Sequence, residues 1–159
     1  LRFGRAGYQA ACDNALNNAR ILRKALMAMQ HKGKARFELL DADDKPCLPV
    51  VAMRLNPALK LHYNDIDLQN VLSMSHWYVS GYKMSTCHPT LGYEVPLFTD
   101  EDAECTMFRV VIKAHITTPM VHDLIAAFEE ALSLLDQHEN QYNSNKLRNR
   151  KHRLITNHC

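Results

Sequence analysis

The chain has 159 residues, 47% of them hydrophobic and 23% charged, which is the composition of a single globular domain. A formal net charge of +2 at pH 7 is too small to indicate a nucleic-acid-binding protein, and no apolar run is long enough to cross a membrane. The five cysteines are scattered without a C-x-x-C pair, so we expect a reducing, cytoplasmic setting and neither a disulfide framework nor a metal site.

The first predicted element is a long amphipathic helix. Apolar side chains recur at three- and four-residue steps from Tyr8 to Met29, and polar side chains fall largely on the other face. The helix is predicted to end near His31, Lys32 and Gly33, because cations complement the end of the helix dipole and glycine can adopt a left-handed conformation. No capping residue precedes the helix, which suggests a segment of a larger protein.

The next predicted elements are two strands, a helix and a third strand. A short strand is predicted over residues 37–40, and a stronger one over residues 48–55 after a polar turn. Asn64 or Asp65 can cap a second helix, and residues 77–84 have the aromatic and β-branched composition of a strand.

The rest of the predicted domain is a long connection, a strand and a third helix. Residues 85–104 form the connection, and residues 105–113 are predicted to be a buried strand. A helix should begin near Thr118 and bury an apolar face that includes Phe128 and Leu132. The order α-β-β-α-β-β-α predicts an α+β fold, with helices packed on a mainly antiparallel sheet.

Arg109 is a charged residue within the apolar strand predicted at residues 105–113. A guanidinium group keeps its charge, so an arginine in an apolar strand needs either solvent or an anionic partner. Arg109 therefore either points to solvent on an edge strand or faces a cleft that receives a carboxylate or a phosphate. Periodicity alone favours the first alternative.

The remaining polar features predict no chemistry of their own. His62, His88, His115 and His122 show no metal-ligand spacing, and surface or hydrogen-bonded core positions are expected for them. Hydrophobicity falls from residue 137 onwards, and residues 146–153 form a basic run. We interpret residues 137–159 as a solvated tail, with a regulatory or partner contact at 146–153 as the alternative.

Four short motifs occur in the sequence: LRFGRAGY at residues 1–8, LPVV at 48–51, HWYV at 76–79 and FRVV at 108–111. Together they resemble the C-terminal region of glutamate decarboxylases, pyridoxal-phosphate enzymes of the group II decarboxylase family. Their order and spacing agree with the family over residues 1–136. The resemblance implies that residues 1–136 are the small C-terminal domain of an aspartate-aminotransferase-type fold, including the end of the interdomain helix.

The resemblance also implies a reaction and a role for Arg109. The family converts L-glutamate to 4-aminobutyrate and CO₂, and its strand arginine, which falls on Arg109, binds the substrate α-carboxylate. The cofactor lysine and the other residues that bind pyridoxal phosphate lie in a preceding large domain of the family. We therefore expect no catalytic, cofactor-binding or metal-binding residue in this segment, no activity from the segment alone, and a homo-oligomer for a full-length protein.

Lys32 is not expected to bind the cofactor, and two other functions are considered for the chain. The family's cofactor lysine also follows a histidine, but Lys32 follows a helix and precedes a glycine, so we interpret it as structural. A stand-alone α+β binding or regulatory module without catalysis stays open. A nucleic-acid binder that uses the basic run is disfavoured, because no aromatic residues are interleaved with its basic side chains.

Overall fold

The computed structural model describes residues 4–41, 48–84 and 105–137 of the chain. Within these ranges the α-helices are α1 (Gly4–Ala28), α2 (Asp65–Met74) and α3 (Thr118–Gln137), and a short 3-10 helix covers Pro57–Leu59. The strands are β1 (Gln30–His31), β2 (Lys34–Ala35), β3 (Phe37–Leu39), β4 (Val50–Leu55), β5 (Ser80–Lys83) and β6 (Thr106–Val111).

Four of the strands form one antiparallel sheet in the order β3-β4-β6-β5. Side chains alternate across it, as they must in a pleated strand. In β6, Phe108 and Val110 are buried on one face, whereas Arg109 and Val111 are exposed on the other. We call the side that carries Arg109 the open face of the sheet.

The three helices pack on the opposite face of the sheet. Helix α1 contacts β3 and β4, α2 contacts β5 and β6, and α3 contacts both α1 and α2. Three rings from different elements meet at the centre, because the Phe108 ring lies 5.4 Å from Phe37 and 5.5 Å from Phe128 between centroids. The predicted α+β class, with helices on an antiparallel sheet, is confirmed.

The end of α1 differs from the prediction. The helix ends at Ala28, and β1 and β2 then form a separate two-stranded hairpin. Lys32 and Gly33 make its turn, with φ angles of 51° and 77°, and two successive left-handed residues are what a tight hairpin turn requires. Lys32 is therefore a turn residue and not part of a helix cap.

The first turns of α1 also differ from the prediction. Tyr8 is 53% exposed and Cys12 is exposed, so the buried face of the helix begins only at Ala15. The early turns instead line an apolar groove of about 710 Å³. Periodicity placed these residues on the correct side of the helix, but they lie where that side extends past the core.

Helix α2 is fixed to the sheet by polar contacts at its start. Asn64 caps it in a capping box with Asp67. The carboxylate of buried Asp65 accepts hydrogen bonds from the Leu55 backbone N–H at 2.9 Å and from the Thr106 hydroxyl at 2.7 Å. Burial raises the pKa of Asp65, although these hydrogen bonds act in the opposite direction.

Strand β5 lies against α2 at a glycine. A Cβ added to Gly81 would lie 2.8 Å from the backbone oxygen of Asp65, closer than non-bonded atoms approach. The Gly81 N–H also donates a hydrogen bond to the side-chain oxygen of Gln69. This close approach fixes the backbone on which Ser80 and Tyr82 are carried.

Three of the predicted segments fall wholly or largely outside the described ranges. They are the polar turn after residue 41, the connection at 85–104 and the tail apart from residue 137, so the proposed division at residue 136 stays a prediction. None of the three helices in the described ranges combines the length and hydrophobicity that a membrane-spanning segment needs.

Candidate functional site

Arg109 lies near the middle of the open face. Strand β6 is flanked by β4 and β5, and the Cα partners of Arg109 are Ala52 on one side and Ser80 on the other. The side chain is exposed. The expectation that an exposed Arg109 belongs to an edge strand is therefore wrong, because the exposure arises from the face of the sheet and not from its edge.

The side chains around Arg109 leave its guanidinium accessible. Both directly paired residues, Ala52 and Ser80, are small. The guanidinium carbon lies 5.9 Å from the centroid of the Tyr82 ring, within the range of a cation–π contact. In the described part of the chain, Arg109 makes no ion pair with a carboxylate. Its charge can therefore receive an anion from outside these residues.

Arg54, on the neighbouring strand β4, provides a contrast with Arg109. Its Nε and Nη2 each lie 2.7 Å from Oε2 of Glu38, its partner across the strand pair, and its Nη1 lies 3.3 Å from the Cys105 sulfur. Partial burial alone would lower the pKa of Arg54, but the contacts with Cys105 and Glu38 raise it. Arg54 is therefore neutralised within the domain.

Two further arginines, Arg23 and Arg36, are buried and join distant parts of the chain. Arg23 of α1 pairs with the Asp41 carboxylate and donates to the Val50 carbonyl at 3.1 Å. These residues do not emerge from sequence patterns, because their partners are distant along the chain. The sequence places Arg36 directly before a predicted strand, but its burial is apparent only in the structure.

Arg36 forms what we call the Arg36 cluster, with His31, Tyr63 and Asp136. Its guanidinium donates to the Tyr63 hydroxyl, to Oδ2 of Asp136 and to Nδ1 of His31, each at 2.7 Å. The Tyr63 hydroxyl in turn donates to Oδ1 of Asp136 at 2.8 Å. The cluster connects the β1–β2 hairpin, the segment before α2 and the end of α3, and it leaves no buried charge without a counter-charge.

The hydrogen bonds of the cluster shift two acid–base groups. Burial alone would raise the pKa of Asp136, but hydrogen bonds from Arg36 and Tyr63 and the nearby positive charge lower it below its ordinary value. Burial and the hydrogen bond to Asp136 raise the pKa of Tyr63, so its hydroxyl stays protonated. The cluster is thus an ion pair with a neutral tyrosine.

Asp136→Asn tests the cluster. Because the folded-state pKa of Asp136 is lowered, its stabilising effect is present above the unfolded-state pKa and is lost as pH falls through the folded-state value. We expect the substitution to lower the free energy of unfolding by about 1–3 kcal/mol near neutral pH, since it weakens charge-assisted hydrogen bonds to a buried arginine. Urea unfolding near neutral pH and at about pH 3 measures this.

Glu130→Gln, at an exposed position of the same helix, is the matched control and should change stability by no more than about 0.5 kcal/mol. An equal loss from Asp136→Asn at both pH values would contradict the assignment, because the stabilising effect of the ion pair should be smaller at a pH below the ordinary pKa of an aspartate.

In the described part of the chain, the histidines considered above lie in separate environments. His62 Nε2 makes a 2.9 Å hydrogen bond with the Leu135 carbonyl, His115 lines the apolar groove and His122 is exposed. His88 lies outside the described residues. In the described part of the chain, no three side chains of the metal-binding types come together.

Comparison with known proteins agrees with the motifs. No family model matches the chain. It is 26% identical over 137 residues to glutamate decarboxylase 3 of Arabidopsis thaliana, covering 86% of this chain and 23% of that protein. It also matches a glutamate decarboxylase of Lactobacillus brevis CGMCC 1306 with a TM-score of 0.65 and 25% identity, covering 86% of this chain and 26% of the other.

The chain is similar to the C-terminal region of glutamate decarboxylases. The resemblance drawn from the four motifs is thereby confirmed. The chain spans about a quarter of the length of these glutamate decarboxylases. The role of Arg109 stays a prediction, because similarity of the segment does not test a single side chain.

Proposed function

We propose that the chain is part of a pyridoxal-phosphate-dependent glutamate decarboxylase, in which Arg109 binds the α-carboxylate of L-glutamate. The observation that carries the proposal is the exposed guanidinium on a central strand, without a carboxylate partner in the described ranges. The similarity to glutamate decarboxylases supports the reaction class.

The chemistry of the guanidinium supports the role of Arg109. A guanidinium can donate two parallel hydrogen bonds to one carboxylate, which fixes the plane of the carboxylate as well as its position. In a decarboxylation the bond to that carboxylate breaks, so its orientation decides how well the substrate is aligned for reaction. Arg109 would therefore align the substrate without itself exchanging a proton.

The described residues do not themselves fit a pyridoxal phosphate site. The cofactor needs a lysine amine held in a site, yet every lysine of the described ranges is exposed to solvent. Lys32, which follows a histidine as the family's cofactor lysine does, lies in the hairpin turn. We therefore propose that the cofactor is bound by residues outside this segment, and that the segment alone is inactive.

The proposal extends to the substrate, oligomeric state and location of the complete protein. L-glutamate is the proposed substrate, and the complete protein is proposed to be a cytoplasmic homo-oligomer without a nucleic-acid or membrane partner. For the basic run at 146–153, a regulatory contact stays the alternative to a tail without a partner.

Release of labelled CO₂ tests the proposed function. In a protein extended to the full length of the relatives and loaded with pyridoxal phosphate, L-glutamate labelled in its α-carboxylate should release labelled CO₂ and yield an equal amount of 4-aminobutyrate. Label in the side-chain carboxylate should stay in solution. The 159-residue chain alone, given the same cofactor, should release none.

Two results would contradict these proposals separately. Turnover by the 159-residue chain alone would show that the cofactor site lies within it. Absence of α-carboxylate release from the cofactor-loaded full-length protein would overturn the decarboxylase assignment itself.

A further inference from the structure

Tyr82 lies diagonally across the sheet from Arg109. Arg109 pairs with Ser80, and Tyr82 pairs with Met107, so Tyr82 and Arg109 are offset by two residues on the same face. Side chains at such diagonal positions are within reach of each other when one is long and the other aromatic. The 5.9 Å separation of the guanidinium carbon from the ring centroid agrees with this register.

Among the described residues, the Tyr82 ring makes a cation–π contact with Arg109 that can restrain its side chain. The directly paired side chains of Ala52 and Ser80 are too short to limit the rotamers of an arginine. An unrestrained arginine side chain loses much of its rotamer freedom when it is fixed. Contact with an aromatic face removes part of that freedom before a ligand arrives.

The contact with the ring also leaves the hydrogen-bond donors of Arg109 available. A cation–π interaction acts through the face of the ring and does not require the N–H groups. Arg54 shows the opposite arrangement, because its donors are occupied by Glu38 and Cys105. A restraint of the first kind leaves all five N–H groups of the guanidinium available for a carboxylate.

The backbone that carries Tyr82 is itself held in place. Gly81 lies so close to α2 that a Cβ there would be 2.8 Å from the Asp65 carbonyl oxygen. Its N–H donates to Gln69. The aromatic ring therefore stands on a strand whose distance from α2 is fixed.

We propose that Tyr82 is a positioning residue whose ring holds the Arg109 guanidinium in the orientation that receives the substrate carboxylate. This inference rests on the function proposed above for Arg109. It assigns the effect to the ring and not to the phenolic hydroxyl.

Steady-state kinetics on the full-length, cofactor-loaded protein test the inference with Tyr82→Leu and Tyr82→Phe. The leucine variant should raise KM for L-glutamate by about threefold to thirtyfold, because substrate binding must then supply the free energy that orders the Arg109 side chain. It should change kcat by no more than about twofold. The phenylalanine variant keeps the ring and should restore KM to within about twofold.

Tyr78→Leu is the matched control, since Tyr78 is 81% exposed and lies two residues before β5. It should leave KM unchanged. In an Arg109→Ala background, Tyr82→Leu should have no further effect, because its partner is already absent.

The variants separate failure of the inference from failure of the proposed function. If Arg109→Ala lowers kcat/KM but Tyr82→Leu does not raise KM, or acts equally in the Arg109→Ala background, the positioning role is overturned and the function of Arg109 stands. Equal defects in Tyr82→Phe and Tyr82→Leu would also overturn it. If Arg109→Ala itself leaves kcat/KM unchanged, the proposed function fails.

Discussion

Replacing Leu132 by alanine is expected to lower the free energy of unfolding by about 2–5 kcal/mol. Leu132 is 4% exposed on α3 and belongs to the core that joins the helices to the sheet. The substitution removes buried apolar surface and leaves a cavity that close-packed neighbours fill only in part. Equilibrium urea unfolding measures the loss. The slope of the free energy of unfolding against urea concentration should stay unchanged, which shows that the substitution affects stability and not the unfolded state.

The same helix provides a closely matched control. Leu134 is two residues away, carries the same side chain and is 38% exposed. Leu134→Ala should change stability by no more than about 0.5 kcal/mol, since alanine is a good helix former and little buried surface is lost. Equal losses in the two variants would mean that the buried face of α3 is wrongly assigned.

Helix α3 shows what the sequence predicts well. The predicted start at Thr118 agrees with the helix bounds, and the predicted burial of Phe128 and Leu132 is confirmed. Periodicity works here because a helix that covers a core must present the same side chains every three or four residues. The sequence predicts a cap at Asn64 or Asp65, and the structure has it at Asn64, whose capping hydrogen bonds are local.

The β1–β2 hairpin was missed because its strands are very short. Each has two residues, too few for an alternating pattern to be recognised. The sequence predicts a helix end at Lys32-Gly33, since a left-handed glycine is suited to a helix terminus as well as to a hairpin turn. The distinction depends on whether residues on both sides pair with each other, which local composition does not specify.

The Arg36 cluster and the environment of Arg109 depend on contacts between distant residues. Asp136 lies 100 positions from Arg36, so nothing near either residue indicates the other. Arg109 was identified from its apolar strand, but its exposure on a central strand follows from the strand order β3-β4-β6-β5. Sequence alone therefore indicates which residue is unusual, whereas the pairing order determines which face it occupies.

Arg109→Ala is expected to have the largest effect on turnover in the full-length protein. Arg109→Lys keeps the charge but loses the two parallel donors that align the substrate carboxylate. It should cost about 2–4 kcal/mol of transition-state stabilisation, measured from kcat/KM. Arg109→Ala should cost more, because it also removes the charge that neutralises the carboxylate. Cofactor binding should change little, because the proposed cofactor residues lie outside this segment.

Kinetics and cofactor absorbance, measured on the same preparations, separate these effects. Arg20→Ala removes another exposed arginine, on α1 and away from the sheet's open face, and should leave kcat/KM unchanged. A fall in kcat/KM with normal cofactor absorbance for both Arg109 variants, in the order alanine then lysine, is the result that the carboxylate-binding role requires. Near-normal turnover of Arg109→Ala would instead make Arg109 an ordinary exposed strand arginine, held by Tyr82 without a substrate to bind.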